Sequence, residues 1–164
     1  MKKPIGFFWH ASHSQIYPEL ARLEAQGMVT YQVVEQTDRP DKKIYSITDA
    51  GRVALQQWAT EPVEVPPDRS EIVLKAYSVW LAEPEKAIQL FRAQEHYHTA
   101  QLAEYEQILA EIEQKRGSET EWRVDTPLFG DYATLRRGVA YEREYAQWCH
   151  WMVEQLEKHR ERYG

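Results

Sequence analysis

The sequence predicts a mainly α-helical protein with one small β-hairpin, divided into two domains. Apolar residues recur three and four positions apart over most of the 164-residue chain, which is the spacing of helices that bury one face. Residues 29–47 are instead rich in β-branched and aromatic residues on both sides of a turn. Three prolines between residues 61 and 68 stop any helix there. We therefore expect domains at 1–60 and 69–164, joined by a linker at 61–68.

The first domain is expected to begin with a helix that Ser12 or Ser14 caps through its hydroxyl. Gly27 ends this helix, because glycine readily adopts the left-handed conformation of the C′ position. Pro18 is expected in or near the first turn, where its missing N–H costs little. The apolar stripe of the helix consists of Ile16, Leu20 and Leu23.

Two strands follow this helix, at residues 29–35 and 43–47, with a turn at 36–41 between them. Thr48 is placed to cap the next helix, in which Leu55 and Trp58 mark the buried side. The first helix is thus followed directly by a two-stranded hairpin.

The second domain is expected to be helical throughout. A short helix spans residues 70–81, a long one begins at Glu83–Pro84 and breaks at 117–120, and a second long one begins near Leu128 or Gly130. Steps of four and three in the apolar pattern predict that the two long helices pack side by side. Their seams consist of Ala87, Phe91, Gln94, His98, Leu102, Tyr105, Leu109 and Ile112, and of Leu128, Tyr132, Leu135, Val139, Glu142, Ala146, Cys149, Val153 and Leu156.

The last helix carries more apolar surface than one seam can cover. A second copy of the chain is the simplest cover, because most soluble oligomers are symmetric homodimers. We therefore expect a homodimer. The surplus residues are Tyr141, Tyr145, Trp148, Trp151 and Met152.

Composition and charge restrict the class of protein. The formal charge of −6 divides into +1 for residues 1–60 and −7 for residues 61–164, so the first domain can still approach nucleic acid. No apolar run is long enough to cross a membrane, we identify no secretory signal, and the single cysteine, Cys149, fits a reducing cytoplasm. We expect no metal, no cofactor and no enzymatic activity, because the histidines and the Ser12–Ser14 segment lack the partners that such sites need.

A helix followed by a hairpin that carries cations is the arrangement of a winged helix, in which the helix enters the DNA major groove and the hairpin lies on phosphates. The helix face opposite the apolar stripe must then hydrogen-bond to base edges and phosphates. That face offers Ser12, His13, Ser14, Gln15, Tyr17 and Arg22, and the wing offers Arg39, Lys42 and Lys43. The same spacing is also compatible with an ordinary solvated helix and a hairpin whose charges balance.

Two sequence segments are more specific. Residues 8–29, FWHASHSQIYPELARLEAQGMV, resemble the recognition helix of PadR-family transcriptional regulators, and residues 39–51, RPDKKIYSITDAG, resemble that family's wing and the start of its next helix. The second domain is similar to the helical domain of the longer PadR subfamily, the virulence-activator type. The resemblance implies a dimeric, sequence-specific binder of double-stranded DNA, most often a repressor, which a phenolic or other small effector releases in some relatives.

Aromatic residues on and just before the last helix are candidates to line a pocket for an aromatic effector, principally Trp148, Trp151 and Tyr145, with Trp122 and Tyr141 as further candidates, although aromatic residues at helical spacing are more often core or dimer interface. The alternative is that these rings form the core or the dimer interface.

The chain departs from the family at its N-terminus. Family members have two helices before the Phe8–Trp9 segment, and residues 1–6 resemble only the end of the second one. The winged helix-turn-helix is therefore expected to be N-terminally truncated. Three explanations stay open: a start codon placed too late, a truncated member with impaired DNA binding, or a partner that covers the gap. An impaired member would be a protein-interaction module that dimerises with full-length relatives and does not itself bind DNA.

Overall fold

The computed structural model describes residues 12–37, 41–65, 69–116 and 122–163, apart from the side chains of His13 and Tyr163. These residues form two compact units, one within residues 12–65 and one within residues 69–163, which we call the winged unit and the helical unit. In the part of the chain that is described, no helix is long and apolar enough to cross a membrane. The predictions for the N-terminal segment, for the wing tip at 38–40 and for the helix break at 117–120 lie outside the described residues.

Helix α1 spans His13–Ala25 with Ser12 as its N-cap, which confirms the predicted start. Gly27 has a φ of 71°, the left-handed conformation expected of it. Pro18 lies inside the helix, in its second turn. Because proline has no N–H, the carbonyl of Ser14 lacks the hydrogen-bond donor that a helix normally supplies four residues along the chain.

Strands β1 (Val29–Val34) and β2 (Lys42–Ile47) form an antiparallel sheet, each within one residue of its predicted bounds. Their register pairs Tyr31 with Tyr45, whose ring centroids lie 5.4 Å apart. Two strands alone are marginally stable, so the hairpin depends on the elements that join its ends.

Helix α2 (Asp49–Trp58) begins where the hairpin ends, and a threonine and a glycine fix this junction. The Thr48 hydroxyl accepts the Gly51 N–H at 3.0 Å and donates to the Gly27 carbonyl at 2.7 Å. The Thr48 N–H donates to the Met28 carbonyl at 3.0 Å. A Cβ on Gly51 would lie 2.0 Å from that same Met28 oxygen, so only glycine allows α2 to approach the start of β1 this closely.

The prediction that Leu55 and Trp58 are buried is wrong, because they are 53% and 68% exposed. On α1, Ile16 is 39% exposed, whereas Leu20 and Leu23 are half-buried. Helical periodicity identified the apolar sides of both helices, but the described residues of this unit supply no layer that covers α2.

The helical unit contains α3 (Glu71–Tyr77), a 3₁₀ turn at Val79–Leu81, α4 (Pro84–Arg116) and α5 (Pro127–Tyr163). The predicted short helix is therefore two segments separated at Ser78. Pro84 is the first residue of α4, as expected from a residue that has no N–H to donate.

Helices α4 and α5 run antiparallel, as the ion pairs between them show. Arg160 near the end of α5 pairs with Glu85 near the start of α4 at 2.9 Å, and Arg143 pairs with Glu106 at 2.6 Å. Every residue predicted for the two seams is buried or half-buried, which confirms the side-by-side packing. The core beside α3 consists of Ile72, Ile88, Phe91, Cys149, Met152 and Val153.

One buried polar pair interrupts the apolar seam. His98 on α4 and Glu142 on α5 are 7% and 8% exposed, and Nδ1 of the imidazole is hydrogen-bonded to the carboxylate. The Tyr145 ring stacks on His98 with centroids 3.7 Å apart. A slip of either helix would leave one of these polar groups buried without its partner, so the pair favours a single register.

We expect Gly51→Ala to destabilise the winged unit by about 1–3 kcal/mol, because the new Cβ overlaps the Met28 carbonyl oxygen. Gly130→Ala in α5 is the matched control, since a Cβ there meets nothing within 4 Å. Peptide-resolved hydrogen–deuterium exchange measures both variants. Faster exchange over residues 27–58 in Gly51→Ala alone is expected, and unchanged protection would contradict the close contact at this junction.

His98→Leu alone should lower the free energy of unfolding by about 3–5 kcal/mol, because it leaves the Glu142 carboxylate buried without its partner. Adding Glu142→Leu should recover most of this loss. Urea unfolding of the parent, both single variants and the double variant gives the coupling energy. Simple additivity of the two losses would show that the residues do not act as a pair.

Candidate nucleic-acid interface

The N-terminal turn of α1 brings together four of the residues predicted to contact DNA: Ser12, Ser14, Gln15 and Tyr17. All four are exposed, and Tyr17 is 61% exposed. A helix N-terminus presents free backbone N–H groups and the positive end of the helix dipole, which favours contact with phosphate. The side chain of His13 lies outside the described residues.

Gln15 has a structural role that the sequence interpretation did not assign to it. Its side-chain oxygen accepts the Ser12 N–H at 2.9 Å and the Ser12 hydroxyl at 3.0 Å, and Ser14 and Ser12 share a hydrogen bond of 2.7 Å. This is half of a capping box, in which the third residue of a helix reaches back to the N-cap. The Gln15 oxygen is therefore used within the helix, and the amide nitrogen is the group that can donate to a base edge.

Arg22 is not part of this cluster. It lies in the last turn of α1, about 15 Å along the helix axis from Ser12. Its guanidinium pairs with Glu19 at 2.8 Å, and both side chains are more than half exposed. An exposed pair of this kind is weak, so Arg22 can exchange Glu19 for a phosphate at little cost.

The two predicted lysines of the wing lie on opposite faces of the hairpin. They are consecutive in β2, and successive side chains of a strand point to opposite sides. Lys43 shares its face with Tyr31 and Tyr45, whereas Lys42 lies on the other face. The two ammonium groups would therefore approach a given phosphate from opposite faces of the hairpin. Arg39, the third predicted cation, lies outside the described residues.

Tyr31 holds the ammonium group of Lys43 in place. Nζ lies 3.8 Å from the ring centroid, a cation–π contact. A hydrogen bond with the Tyr31 side chain raises the pKa of Lys43 above its ordinary value, which further favours the charged form of the group. Both lysines of the wing are exposed, and the ammonium group of Lys43 is the one that a neighbouring ring positions.

The aromatic residues predicted for an effector occupy different environments in the helical unit. Trp148 packs edge-on against Phe91 with centroids 5.7 Å apart, and Tyr145 stacks on His98. Trp151 is 52% exposed. Of the further candidates, Trp122 stacks on Tyr132 at 3.9 Å. The assignment of an effector to these residues stays a prediction.

Burial gives two groups in this helical core unusually high pKa values. It raises the pKa of Cys149 to about 11 and that of Tyr145 to about 12, so both are neutral at physiological pH. A fully buried thiol of this kind is unreactive, as expected from its position on the seam. Among the described residues, no group of three or more histidine, cysteine, aspartate or glutamate side chains is arranged to hold a metal ion.

Sequence reasoning missed a cavity of about 610 Å³ between α4 and α5, lined by Tyr105, Ala133, Thr134, Arg137, Gly138, Tyr141 and Glu142. Two signals were present, namely a glycine in the middle of a long helix and a carboxylate on an apolar seam. Neither signal identifies a cavity until the two helices are aligned.

Models of two protein families match the two parts of the chain. Residues 1–57 match the transcriptional regulator PadR-like family, and residues 69–157 match the family described as virulence activator alpha C-term.

Individual relatives agree with these matches. The chain is 32% identical over 162 residues to the negative transcriptional regulator PadR of Bacillus subtilis (strain 168), covering 96% of this chain and 85% of that protein. The crystal structure of Bacillus subtilis PadR in complex with operator DNA has a TM-score of 0.76 and 30% identity, over 93% of this chain and 83% of that one. The crystal structure of the same protein in complex with p-coumaric acid has a TM-score of 0.70 and 30% identity, with the same coverage. This chain therefore belongs to the PadR-like family of transcriptional regulators, and its C-terminal part is of the virulence-activator type.

Proposed function

We propose that the protein is a sequence-specific DNA-binding repressor that acts as a homodimer and is released from DNA by a small aromatic effector. The observation that carries this proposal is the exposed polar N-terminus of α1 in one unit with a hairpin that bears Lys42 and Lys43. The likeness to a PadR bound to operator DNA supports the same role for these elements.

In this proposal residues 1–60 bind DNA, residues 61–68 link the domains and residues 69–164 form the dimer. Ser12, Gln15 and Tyr17 contact bases or phosphates, with His13, Ser14 and Arg22 as further contacts. The wing cations Arg39, Lys42 and Lys43 contact phosphate. A dimer would place two recognition helices in successive major grooves, about 34–36 Å apart, on a near-palindromic site.

Exposed apolar residues of the helical unit support dimerisation. The predicted surplus on α5 is partly used in the core, since Met152 is buried and Trp148 is half-buried. The larger uncovered patch lies on α3 and the 3₁₀ turn, where five large apolar side chains are more than half exposed: Val73, Leu74, Tyr77, Trp80 and Leu81. A patch of this kind marks an interaction surface.

The same patch favours a second candidate function, a protein-interaction module that pairs with relatives and does not itself bind DNA. Fluorescence anisotropy on duplex DNA from the region upstream of the gene, with a scrambled duplex as competitor, separates the two. A repressor binds the upstream duplex tightly and resists the competitor. Equal affinity for both duplexes would overturn the repressor and leave the interaction module.

Lys42→Ala and Lys43→Ala should each weaken binding to every duplex and reduce the slope of log K against log salt by about one unit, because each removes one phosphate contact. Lys86→Ala is the matched control, since Lys86 lies in the helical unit and pairs with Glu83 at 2.9 Å. A salt series on all three variants measures the slopes. Unchanged slopes in the two wing variants would remove the wing from the interface.

Two substitutions separate the capping and reading roles of Gln15. Glutamate also completes a capping box, so Gln15→Glu keeps the cap and removes the amide donor, whereas Gln15→Ala removes both. If the amide reads a base, both variants should lower the ratio of operator to scrambled affinity by about 5- to 100-fold. This ratio cancels the general repulsion of DNA by the added charge. If Gln15→Glu keeps the parental ratio of operator to scrambled affinity, Gln15 is a capping residue only.

A further inference from the structure

One face of the hairpin combines two tyrosine rings with a lysine. The register places Tyr31 opposite Tyr45 and Val33 opposite Lys43, so these four side chains share a face. Both tyrosines are half-buried, and their ring planes are tilted by 50°. Lys43 is exposed, and its Nζ lies 3.8 Å from the Tyr31 ring centroid. The lysine thus reaches diagonally across the two strands to the ring, as a long side chain can.

The opposite face of the hairpin offers Lys42 no comparable partner. Its cross-strand neighbour is Val34, and Gln32 is its diagonal neighbour on β1. Neither of these side chains has an aromatic ring. Holding a long, flexible side chain on a phosphate costs conformational entropy, and a contact that fixes the side chain beforehand reduces this cost. By this criterion Lys43 is the better prepared of the two wing lysines.

An aromatic ring can fix a lysine without neutralising it. Three lysines of the helical unit are instead paired with glutamates, namely Lys75, Lys86 and Lys158. A phosphate has to displace the carboxylate before it can contact such a lysine. The face of a tyrosine ring attracts a cation through its quadrupole but carries no net charge. The ammonium group of Lys43 therefore keeps its charge for another partner.

Lys43 is also within electrostatic range of α1. The hydrogen bond with Tyr31 is the largest cause of the raised pKa of Lys43, and Glu24 in the last turn of α1 contributes to it as well. The ammonium group therefore lies in a field that both the sheet and the helix determine. A phosphate held there would lie beside the helix that the proposed function places in the major groove.

We propose that Tyr31 is a positioning residue for DNA binding, whose ring holds the ammonium group of Lys43 where it contacts a phosphate. Lys43 then loses less conformational freedom on binding than an unsupported lysine. Tyr31 itself contacts no DNA in this arrangement and acts through Lys43. The inference rests on the proposed function, because it requires that the wing contacts DNA.

A double-mutant cycle in DNA affinity tests whether Tyr31 acts through Lys43. We expect Tyr31→Leu to weaken binding about three- to tenfold, which corresponds to the cost of ordering one long side chain. The same substitution should change affinity less than about 1.5-fold in a Lys43→Ala background, where there is no ammonium group to position. The matched background is Lys42→Ala, in which the full loss should remain. An equal loss in both backgrounds would overturn the proposal, because Tyr31 would then act on the hairpin as a whole.

Tyr31→Phe tests whether the ring is the supporting group. Phenylalanine keeps the ring face and the preference of this position for a strand, and it removes only the hydroxyl. We expect this variant to bind DNA within about twofold of the parent, because the cation–π contact remains. A loss as large as that of Tyr31→Leu would assign the effect to the hydroxyl or to folding and would overturn the role of the ring.

Nuclear magnetic resonance of the full chain, labelled with ¹³C at the lysine Cε positions, reports the contact without DNA. Protons over the face of an aromatic ring resonate upfield, and the Lys43 signal is identified by its loss in Lys43→Ala. We expect this signal upfield of the Lys42 signal in the parent and in Tyr31→Phe, and close to it in Tyr31→Leu. Coincident Lys42 and Lys43 signals in the parent would overturn the proposal.

Measuring the cycle on both the upstream and the scrambled duplex separates this inference from the proposed function. A phosphate contact carries no sequence information, so the cycle applies to both duplexes. Equal affinity for the two duplexes with the cycle intact overturns the repressor and supports the role of Tyr31. Preference for the upstream duplex without coupling between Tyr31 and Lys43 does the reverse. Parental affinity in Lys43→Ala, or no binding to either duplex, would overturn the proposal.

Discussion

The winged unit depends on the close approach of Gly51 to the Met28 carbonyl. This contact holds the start of α2 against the residue that precedes β1. Gly27, the left-handed glycine that ends α1, lies two residues before the start of β1. The Thr48 hydroxyl and N–H satisfy the carbonyls at the same point, so the turn after α1 and both ends of the hairpin are tied together. A hairpin this small is not stable alone, and the orientation of its lysines relative to α1 follows from the junction.

The helical unit has a different basis. Its two long helices bury a repeating apolar seam, which gives stability but allows neighbouring registers. His98 and Glu142 remove that ambiguity, because a slip would separate a buried carboxylate from its partner. The same register places Gly138 against the Tyr105 ring and leaves Glu142 at the wall of the cavity. The buried polar pair and the cavity beside it therefore depend on one alignment of the two helices.

Features that depend on neighbouring residues were predictable from the sequence, and features that depend on distant contacts were not. Ser12, Gly27 and Thr48 each carry the chemistry of a boundary, so the ends of the first elements were predicted closely. Periodicity identified Leu55 and Trp58 as apolar but could not say what covers them, and both are exposed. The residue type of Gln15 suggested a base contact, yet its position three residues after Ser12 also makes it a cap. The cavity depends on which residue of α5 meets Tyr105, and neither helix sequence contains that information alone.

The central claim is that the chain reads DNA as a symmetric pair of recognition helices. Selection of bound sequences from a pool of random duplexes, with the full chain at moderate salt, tests this claim without knowledge of the operator. The account predicts enrichment of a near-palindrome whose half-sites are about 10–10.5 base pairs apart, centre to centre. Enrichment of isolated half-sites would contradict the paired arrangement, and no enrichment over the starting pool would contradict sequence-specific binding itself.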